Sequence, residues 1–327
     1  MNADTGQIPE FDEGPDAGRG STPGPTVREG SAAKQSFERS PDVQRWLWEQ
    51  AREDQGNADA GAAFEFDPAH LAGRRDRDWI LSSLARFHEE GLISDVLHVA
   101  SSGKEATVYC CAAGAGTPAG GPAAAWLAAK VYRPRMFRSL RNDAVYRGSR
   151  AMHDERGRPL RDRRRQRGGE RGRANQVAHW IDYEFRTQQL LHAAGADVPR
   201  PLSQIGNATL MEYIGDLDEP APALRQVALA PGEARPLFER LLWNVELFLA
   251  CDRIHGDLSA YNILYWEGAA TIIDFAQAID PRHNAEVYPL LERDIDRLCR
   301  YFARYGVAAD AGALAADLWV RYMGGVL

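Results

Sequence analysis

Three oxygen-bearing side chains stand at short spacing in Ile254–Ala276, IHGDLSAYNILYWEGAATIIDFA. Asp257 and Asn262 lie in a turn between apolar residues, and Asp274 ends the second of two short runs with β-type composition. Rigid buried segments can aim such side chains at one point. One carboxylate can then orient a hydroxyl, while an amide and a second carboxylate hold Mg²⁺ against phosphates. The chemistry that this set indicates is phosphoryl transfer.

The order of these residues is more informative than any one of them. HGDLSAYN, residues 255–262, fits the protein-kinase catalytic-loop pattern H-R-D-L-x-x-x-N except for Gly256, and Asp274-Phe275-Ala276 replaces D-F-G. Taken alone, an aspartate in such a loop is more often a turn or capping residue. His255 alone is more often a packed scaffold histidine than an acid or base. The ordered set predicts a phosphotransferase without saying which one.

Upstream, two of the chain's three lysines stand where phosphates could be bound, while its other basic side chains are almost all arginine. A helix over 77–91 and a strand over 92–100 lead into the turn Ser101-Ser102-Gly103-Lys104, whose backbone N–H groups and charge could face phosphates. Lys130 lies in an apolar strand over 126–132, where a buried ammonium needs a partner. A compact ammonium there suits a point contact with phosphate oxygens.

A helix over 177–194 offers that partner. Its spacing puts Glu184 on the inward face with Trp180, Thr187 and Leu191, so an ion pair between Glu184 and Lys130 is expected. A hairpin over 202–213 then leads into Met211–Gly215, read as the crossing between two lobes. Backbone groups of Glu212 and Ile214 could recognise an adenine edge there. Three amphipathic helices are expected over 234–251, 285–305 and 310–323.

Composition bounds the remaining possibilities. With 327 residues and 44% hydrophobic side chains, the chain can form one large domain or two modest ones. The four cysteines include no C-x-x-C pair, which predicts reduced thiols and no zinc site. No apolar run approaches the ~20 residues of a membrane helix, and no signal segment begins the chain, so we expect a cytoplasmic protein with no membrane partner.

Two segments are biased in composition. Residues 1–70 are rich in Gly, Pro, Ser and acidic side chains, and we expect a disordered acidic tail. Arg133–Arg173 carries fifteen arginines against five acidic residues, a local charge of about +10. Such a block is typical of a surface that binds RNA or another polyanion. A solvated insertion that neutralises the acidic tail explains it equally well.

Taken together, the motifs resemble the RIO family of atypical serine/threonine kinases, the first-type branch most closely. The resemblance covers roughly residues 76–305, and the chain looks like a bacterial member of the family. It is carried by a series of short motifs in this order: SSGKEATVY (101–109), AKVY (129–132), YEFR (183–186), MEYIG (211–215), HGDLSAYNILY (255–265) and IID (272–274).

The resemblance implies an α+β fold, a trimmed bilobal kinase with an antiparallel N-lobe sheet plus one helix and a mainly helical C-lobe. The implied domain is 76–327, with an N-lobe at about 76–211, the Arg-rich insertion 133–173 within it, and a C-lobe at about 215–327. It implies ATP and Mg²⁺ as cofactors, with Mn²⁺ as an alternative metal. A protein substrate is implied but not named, and the family's work on the small ribosomal subunit would suit the insertion.

The roles that the resemblance implies follow residue by residue. Asp257 orients the accepting hydroxyl or takes its proton, and Asn262 and Asp274 hold the metal. Asp274 is also implied as a transient phosphate acceptor in an ATPase-like cycle. The residues implied to bind the nucleotide lie in the strands, turn, helix and crossing described above: Ser101, Ser102, Lys104, Val108, Lys130, Glu184, Glu212 and Ile214.

Three functions remain open at this point. The first is a protein serine/threonine kinase, including one that mainly phosphorylates itself. The second is a small-molecule kinase of the aminoglycoside or choline type, which shares HGDL-x-x-x-N but commonly has histidine where this chain has Ser259. The third is an RNP-assembly factor that uses ATP as a conformational switch and binds RNA through Arg133–Arg173.

Overall fold

The computed structural model describes residues 66–74, 77–103, 105–118, 125–133, 170–283 and 287–327. Residues 1–65, Lys104 and almost all of the Arg-rich segment lie outside the described residues. The expectations placed on them therefore stay predictions.

A five-stranded antiparallel sheet forms the first part of the fold. Its strand order is β1-β2-β3-β5-β4. The register places Val108 and Thr209 on either side of Lys130, one in each strand that flanks β3. The five strands are β1 (Ile93–Ser102), β2 (Ala106–Ala113), β3 (Trp126–Tyr132), β4 (Pro201–Ile205) and β5 (Ala208–Glu212).

Helix α1 (Arg77–Glu89) packs against the sheet and closes the first hydrophobic core. Its buried side chains follow the predicted spacing, and Leu71 joins them from a short 3-10 turn, Ala69–Leu71. Phe66 is 4% exposed and stacks on His88 at 4.5 Å between ring centroids. Because these residues belong to the core, the expected disordered tail cannot extend to residue 70.

Helix α2 (Glu170–Ala193) packs against β4, β5 and the turn at Phe275–Gln277. The helix begins seven residues before the expected start at 177. Those residues are mostly charged or small, so they give no apolar periodicity from which the start could be read. The inward face is as predicted: Glu184 and Leu191 are buried there, together with Trp180 and Thr187.

The chain after Tyr213 is mainly helical and surrounds the second core. The Asp257 turn (residues 254–262) and a two-stranded hairpin, β6 (Ile263–Trp266) with β7 (Ala269–Ile272), lie between its helices in the chain. The helices are α3 (Ala234–Ala250), α4 (Tyr288–Ala303) and α5 (Ala311–Met323).

Ile254 and Leu258 of the turn are buried with Phe248 of α3. This core fixes the base of the Asp257 turn. Among the described helices, none has the length and apolar character needed to cross a bilayer.

An antiparallel sheet with its helices, followed by a mainly helical part, is the predicted α+β order. The lobe boundaries near residues 211 and 215 stay a prediction.

Candidate functional site

The side chains predicted to converge line one cavity. This cavity, to which we give the name main cavity, has a volume of about 900 Å³ and is bounded by sheet residues, by α2 and by the Asp257 turn. Its lining includes five functional candidates that are far apart in sequence: Lys130, Glu184, Asp257, Asn262 and Asp274. The roles assigned to them remain predictions.

Lys130 joins the sheet to the helical part through two carboxylates. Its Nζ lies 2.6 Å from Glu184 Oε1 and 3.1 Å from Asp274 Oδ1, which confirms the predicted ion pair with Glu184. Tyr132 Oη donates to Glu184 Oε2 at 2.9 Å, so both oxygens of this buried carboxylate are bound.

The electrostatics of this group keep the lysine charged. Burial alone lowers the pKa of Lys130, but the carboxylates of Asp274 and Glu184 outweigh it and place that pKa well above its ordinary value. In return, the ammonium of Lys130 holds the pKa of Asp274 below its usual range. The ammonium and the Asp274 carboxylate therefore both carry their charges at neutral pH.

The Asp257 turn presents one carboxylate and one amide to the cavity. Asn262 Nδ2 donates to the Asp257 backbone carbonyl at 2.9 Å, which leaves Asn262 Oδ1 as the atom suited to a cation. Arg297 Nη1 binds Asp257 Oδ1 at 2.7 Å. Asp257 is therefore held by one oxygen, and among the described residues its other oxygen makes only a 3.5 Å contact, with Asn262 Nδ2.

A buried carboxylate on α4 anchors this turn. Asp294 accepts hydrogen bonds from Gly256 N at 2.7 Å and Leu258 N at 3.1 Å, on both sides of Asp257. Arg293 donates to the Gly256 carbonyl. Burial raises the pKa of Asp294 to about 7, although the two N–H groups favour its charged form.

Sequence reasoning missed Asp294 and Arg297. A signal for Asp294 was present, because it occupies an apolar position of α4 beside Leu291, Ile295 and Leu298. An acid on the apolar face of a helix needs hydrogen-bond donors.

His255 has the packed role that its surroundings favour. The ring is buried, lies 5.1 Å from the Phe275 ring, and its Nε2 is 3.1 Å from the Ile273 carbonyl oxygen. Burial lowers the pKa of His255, so the neutral ring donates to that carbonyl. Asp274 follows directly in a left-handed conformation, with φ +70°, which turns its side chain away from the strand direction.

Some of the residues expected to bind the nucleotide line the main cavity and others do not. Ser101 and Val108 line the main cavity. Ser102 is not among the lining residues, because alternation along β1 separates it from Ser101, and its hydroxyl accepts from Arg133 Nη2 at 2.7 Å. The nucleotide-binding role expected of Ser102 stays a prediction, and Lys104 lies outside the described residues.

The crossing segment offers fewer backbone groups than expected. Glu212 and Ile214 both line the main cavity. The Glu212 N–H donates to the Arg200 carbonyl at 2.8 Å, and the Ile214 carbonyl accepts from Ala221 N at 2.9 Å. Within the described ranges no acceptor takes the Ile214 N–H, which makes it the donor best suited to an adenine edge.

Comparison with known proteins places this site in a family. The model of the RIO domain family matches residues 142–314, just over half of the chain. The serine/threonine-protein kinase rio1 of Schizosaccharomyces pombe is 28% identical over 73% of this chain and 44% of its own length. The RIO-type serine/threonine-protein kinase Rio1 of Haloferax volcanii is 31% identical over 42% of this chain and 47% of its own length. The chain thus spans less than half of either relative.

A solved structure supports the fold. The Rio2 kinase–ADP/Mg²⁺–phosphoaspartate complex from Chaetomium thermophilum matches with a TM-score of 0.54 at 19% identity. The match covers 74% of this chain and 66% of that chain. The predicted trimmed, kinase-like α+β fold is confirmed. On the extent of the family match, this chain belongs to the RIO domain family.

Proposed function

We propose that this protein is an ATP- and Mg²⁺-dependent serine/threonine protein kinase that transfers the γ-phosphoryl group to a protein hydroxyl, its own residues included. The observation that carries the proposal is the arrangement of the main cavity. It places the Lys130–Glu184 ion pair, the Asp257 carboxylate and the Asn262–Asp274 oxygen donors around one space. The names of the similar kinases from fission yeast and Haloferax support the same activity.

In this proposal the ammonium of Lys130 binds the phosphates of ATP, and Glu184 fixes its position. The free oxygen of Asp257 accepts a hydrogen bond from the substrate hydroxyl, while Arg297 holds the other oxygen. The acceptor oxygen forms a bond to the γ-phosphorus as the bond from phosphorus to the bridging oxygen of ADP breaks. The proton of the hydroxyl passes to Asp257.

The donor set suits a hard divalent cation. Asn262 Oδ1 and the Asp274 carboxylate are oxygen ligands of the kind that Mg²⁺ prefers, and Mn²⁺ accepts the same ligands. When bound, such a cation would neutralise charge on the phosphates. At phosphate sites Mg²⁺ usually has one or two protein ligands, and phosphate oxygens and waters complete its coordination shell. The two protein ligands offered by this cavity agree with that pattern.

One observation favours a second use of ATP. Asp274 is 41% exposed by side chain and lies beside Lys130, so a phosphate could reach its carboxylate. The similar Rio2 kinase from Chaetomium was solved as a phosphoaspartate complex. We propose transient phosphorylation of Asp274 as the step of an ATPase-type switch. A hydroxylamine-sensitive label that Asp274→Asn loses would support it, and a label stable to hydroxylamine in both proteins would contradict it.

RNA or ribosomal-particle binding through Arg133–Arg173 is a separate proposal that its charge alone supports. Counterion release predicts that such binding weakens steeply with salt. It should persist in Asp257→Asn, because that substitution lies in the main cavity. Salt-insensitive binding of an oligoribonucleotide, or none at low salt, would remove this role.

The decisive experiment follows labelled phosphate from γ-labelled ATP and Mg²⁺ into protein. Wild type should incorporate label at serine or threonine, and Asp257→Asn should lose it. Asp317→Asn is the matched control, because it removes a carboxylate from the exposed side of α5. Equal labelling by wild type and Asp257→Asn would refute the assigned role of Asp257. Label found only in small molecules would indicate a small-molecule kinase.

A further inference from the structure

A second cavity of about 690 Å³ adjoins the main cavity at Asp257. Asp257, Tyr261 and Asn262 line both cavities. A molecule in the second cavity would therefore meet the same carboxylate that faces the main cavity. In the proposed reaction, the nucleotide occupies the main cavity and the acceptor hydroxyl reaches Asp257 from the second cavity.

Arginine dominates the lining of the second cavity. Among the described residues that line it are four arginines and a single carboxylate, Asp257, with a formal charge of +3; the arginines are Arg225, Arg297, Arg300 and Arg304. Three of them are spaced by three and four residues along α4 and its C-terminal end, so they share one face of the helix. The fourth, Arg225, comes from the opposite wall, where its backbone N–H donates to the Ala260 carbonyl at 2.9 Å.

Two of these charges have no carboxylate partner among the described residues. Arg297 is bound to Asp257, and Arg300 is paired with Asp296. Neither Arg225 nor Arg304 pairs with an acid in the part of the chain that the structure describes. Their guanidinium groups instead lie over aromatic rings, Arg225 at 4.2 Å from the Tyr261 centroid and Arg304 at 4.4 Å from that of Tyr301.

Stacking of this kind fixes the plane of a guanidinium and leaves the N–H groups at its edge free to bind an anion. Arg225 also covers one face of the Tyr261 ring, which is 63% exposed. Proteins that bind single-stranded nucleic acid stack bases on open aromatic faces, and this arginine occupies one such face. The cavity thus offers cationic edges beside the Asp257 carboxylate.

We propose that the second cavity is the acceptor site and that it selects protein segments in which carboxylates flank the serine or threonine. Phosphorylation of the bound segment rests on the proposed kinase activity, whereas binding of the segment rests on the cavity alone. Arg225 and Arg304 would contact the flanking carboxylates, while Arg297 would keep Asp257 directed at the hydroxyl.

The test compares two short peptides that share one serine, flanked by aspartates and glutamates in one and by asparagines and glutamines in the other. Binding is measured by fluorescence anisotropy without nucleotide, and phosphorylation with γ-labelled ATP. Wild type should bind and phosphorylate the acidic peptide preferentially. The double variant Arg225→Gln with Arg304→Gln should weaken that binding by about tenfold or more and remove the preference. Affinity for a fluorescent ATP analogue should stay unchanged.

The matched control removes two exposed arginines outside both cavities, Arg186→Gln with Arg235→Gln, and should behave as wild type. Equal binding of the two peptides by wild type would overturn the proposal. So would an oligoribonucleotide that displaces the acidic peptide from wild type and loses its own binding in the double variant. Peptide binding that persists while no protein or peptide is labelled would refute the kinase activity but support the binding site.

Discussion

Gly256 stands where the kinase pattern has arginine, and the structure explains why no side chain fits there. Its φ is +77°, and a Cβ atom on it would lie 2.4 Å from the Gln277 carbonyl oxygen. Real Cβ atoms essentially never approach another atom within 3.0 Å, so the turn would have to move by at least 0.6 Å. Gly256 also donates to Asp294, and Asp257 is the next residue. Substitution should therefore displace the Asp257 carboxylate.

The expected loss of stability has two parts. A left-handed conformation costs a residue with a Cβ atom about 1–2 kcal/mol. Overpacking against the backbone of Gln277 adds about 1–3 kcal/mol. Gly256→Ala should thus lower the free energy of unfolding by about 2–5 kcal/mol. A misplacement of about 1 Å at the reacting groups lowers a rate by about a hundredfold, so kcat should fall by up to that factor.

Gly268 supplies the control, because its φ is +83° and no atom lies within 4 Å of its added Cβ. Urea unfolding of Gly268→Ala should show only the conformational part, with an unchanged rate. The difference between the two variants measures the contact with Gln277. Equal losses of stability in both, together with a wild-type rate for Gly256→Ala, would refute the reasoning.

The remaining predictions concern charge, pH and the chain boundary. Lys130→Ala should lower kcat/KM about a hundredfold to a thousandfold in a peptide kinase assay, since it removes a preorganised donor to the phosphates; a loss below tenfold would contradict the role. The pKa of Asp294 is raised from 3.8 to about 7 in the folded state, so its contribution to stability is complete below pH 4 and is lost as pH rises through 7. Urea unfolding at several pH values should show this loss, up to about 4 kcal/mol in the free energy of unfolding, in wild type and in the control Glu292→Gln but not in Asp294→Asn. The same dependence of stability on pH in all three proteins would contradict the prediction. Deletion of residues 1–65 should leave stability unchanged. Deletion of residues 1–70 also removes Phe66 and should lower the free energy of unfolding by about 3–5 kcal/mol, measured by thermal and urea unfolding. Equal stability of the two truncations would exclude a role for Phe66.

The site could be predicted from the sequence where an ordered motif or a helical periodicity carried the information. The order of Asp257, Asn262 and Asp274 predicted one phosphate-facing group, and helical spacing placed Glu184 on the face that meets Lys130. Both signals depend on residues that are close in sequence, and the helices and strands that carry these residues fix their relative positions. Cys110 and Cys111 are adjacent in β2 and belong to different hydrophobic clusters, as the alternation of a strand dictates.

The rest depended on tertiary contacts that leave weak traces in sequence. The role of Arg297 arises only because α4 passes the Asp257 turn, forty residues later in the chain. Phe66 lies at the end of a long, mostly polar segment, and composition gives no sign that it is buried with residues of α1. The hydrogen bond that Arg133 donates to the Ser102 hydroxyl joins residues 31 positions apart, so no local pattern predicts it.

The attachment of the turn to Asp294 has a consequence for motion. Amides of loops usually exchange with solvent through small local fluctuations, while helix amides await larger openings. Gly256 and Leu258 donate to a carboxylate that is part of α4, so their release requires the helix to move or the carboxylate to be lost. The residue between them, Asp257, is therefore held as rigidly as a helical residue although it lies in a loop. Hydrogen exchange at these two amides should be as slow as at the centre of α4.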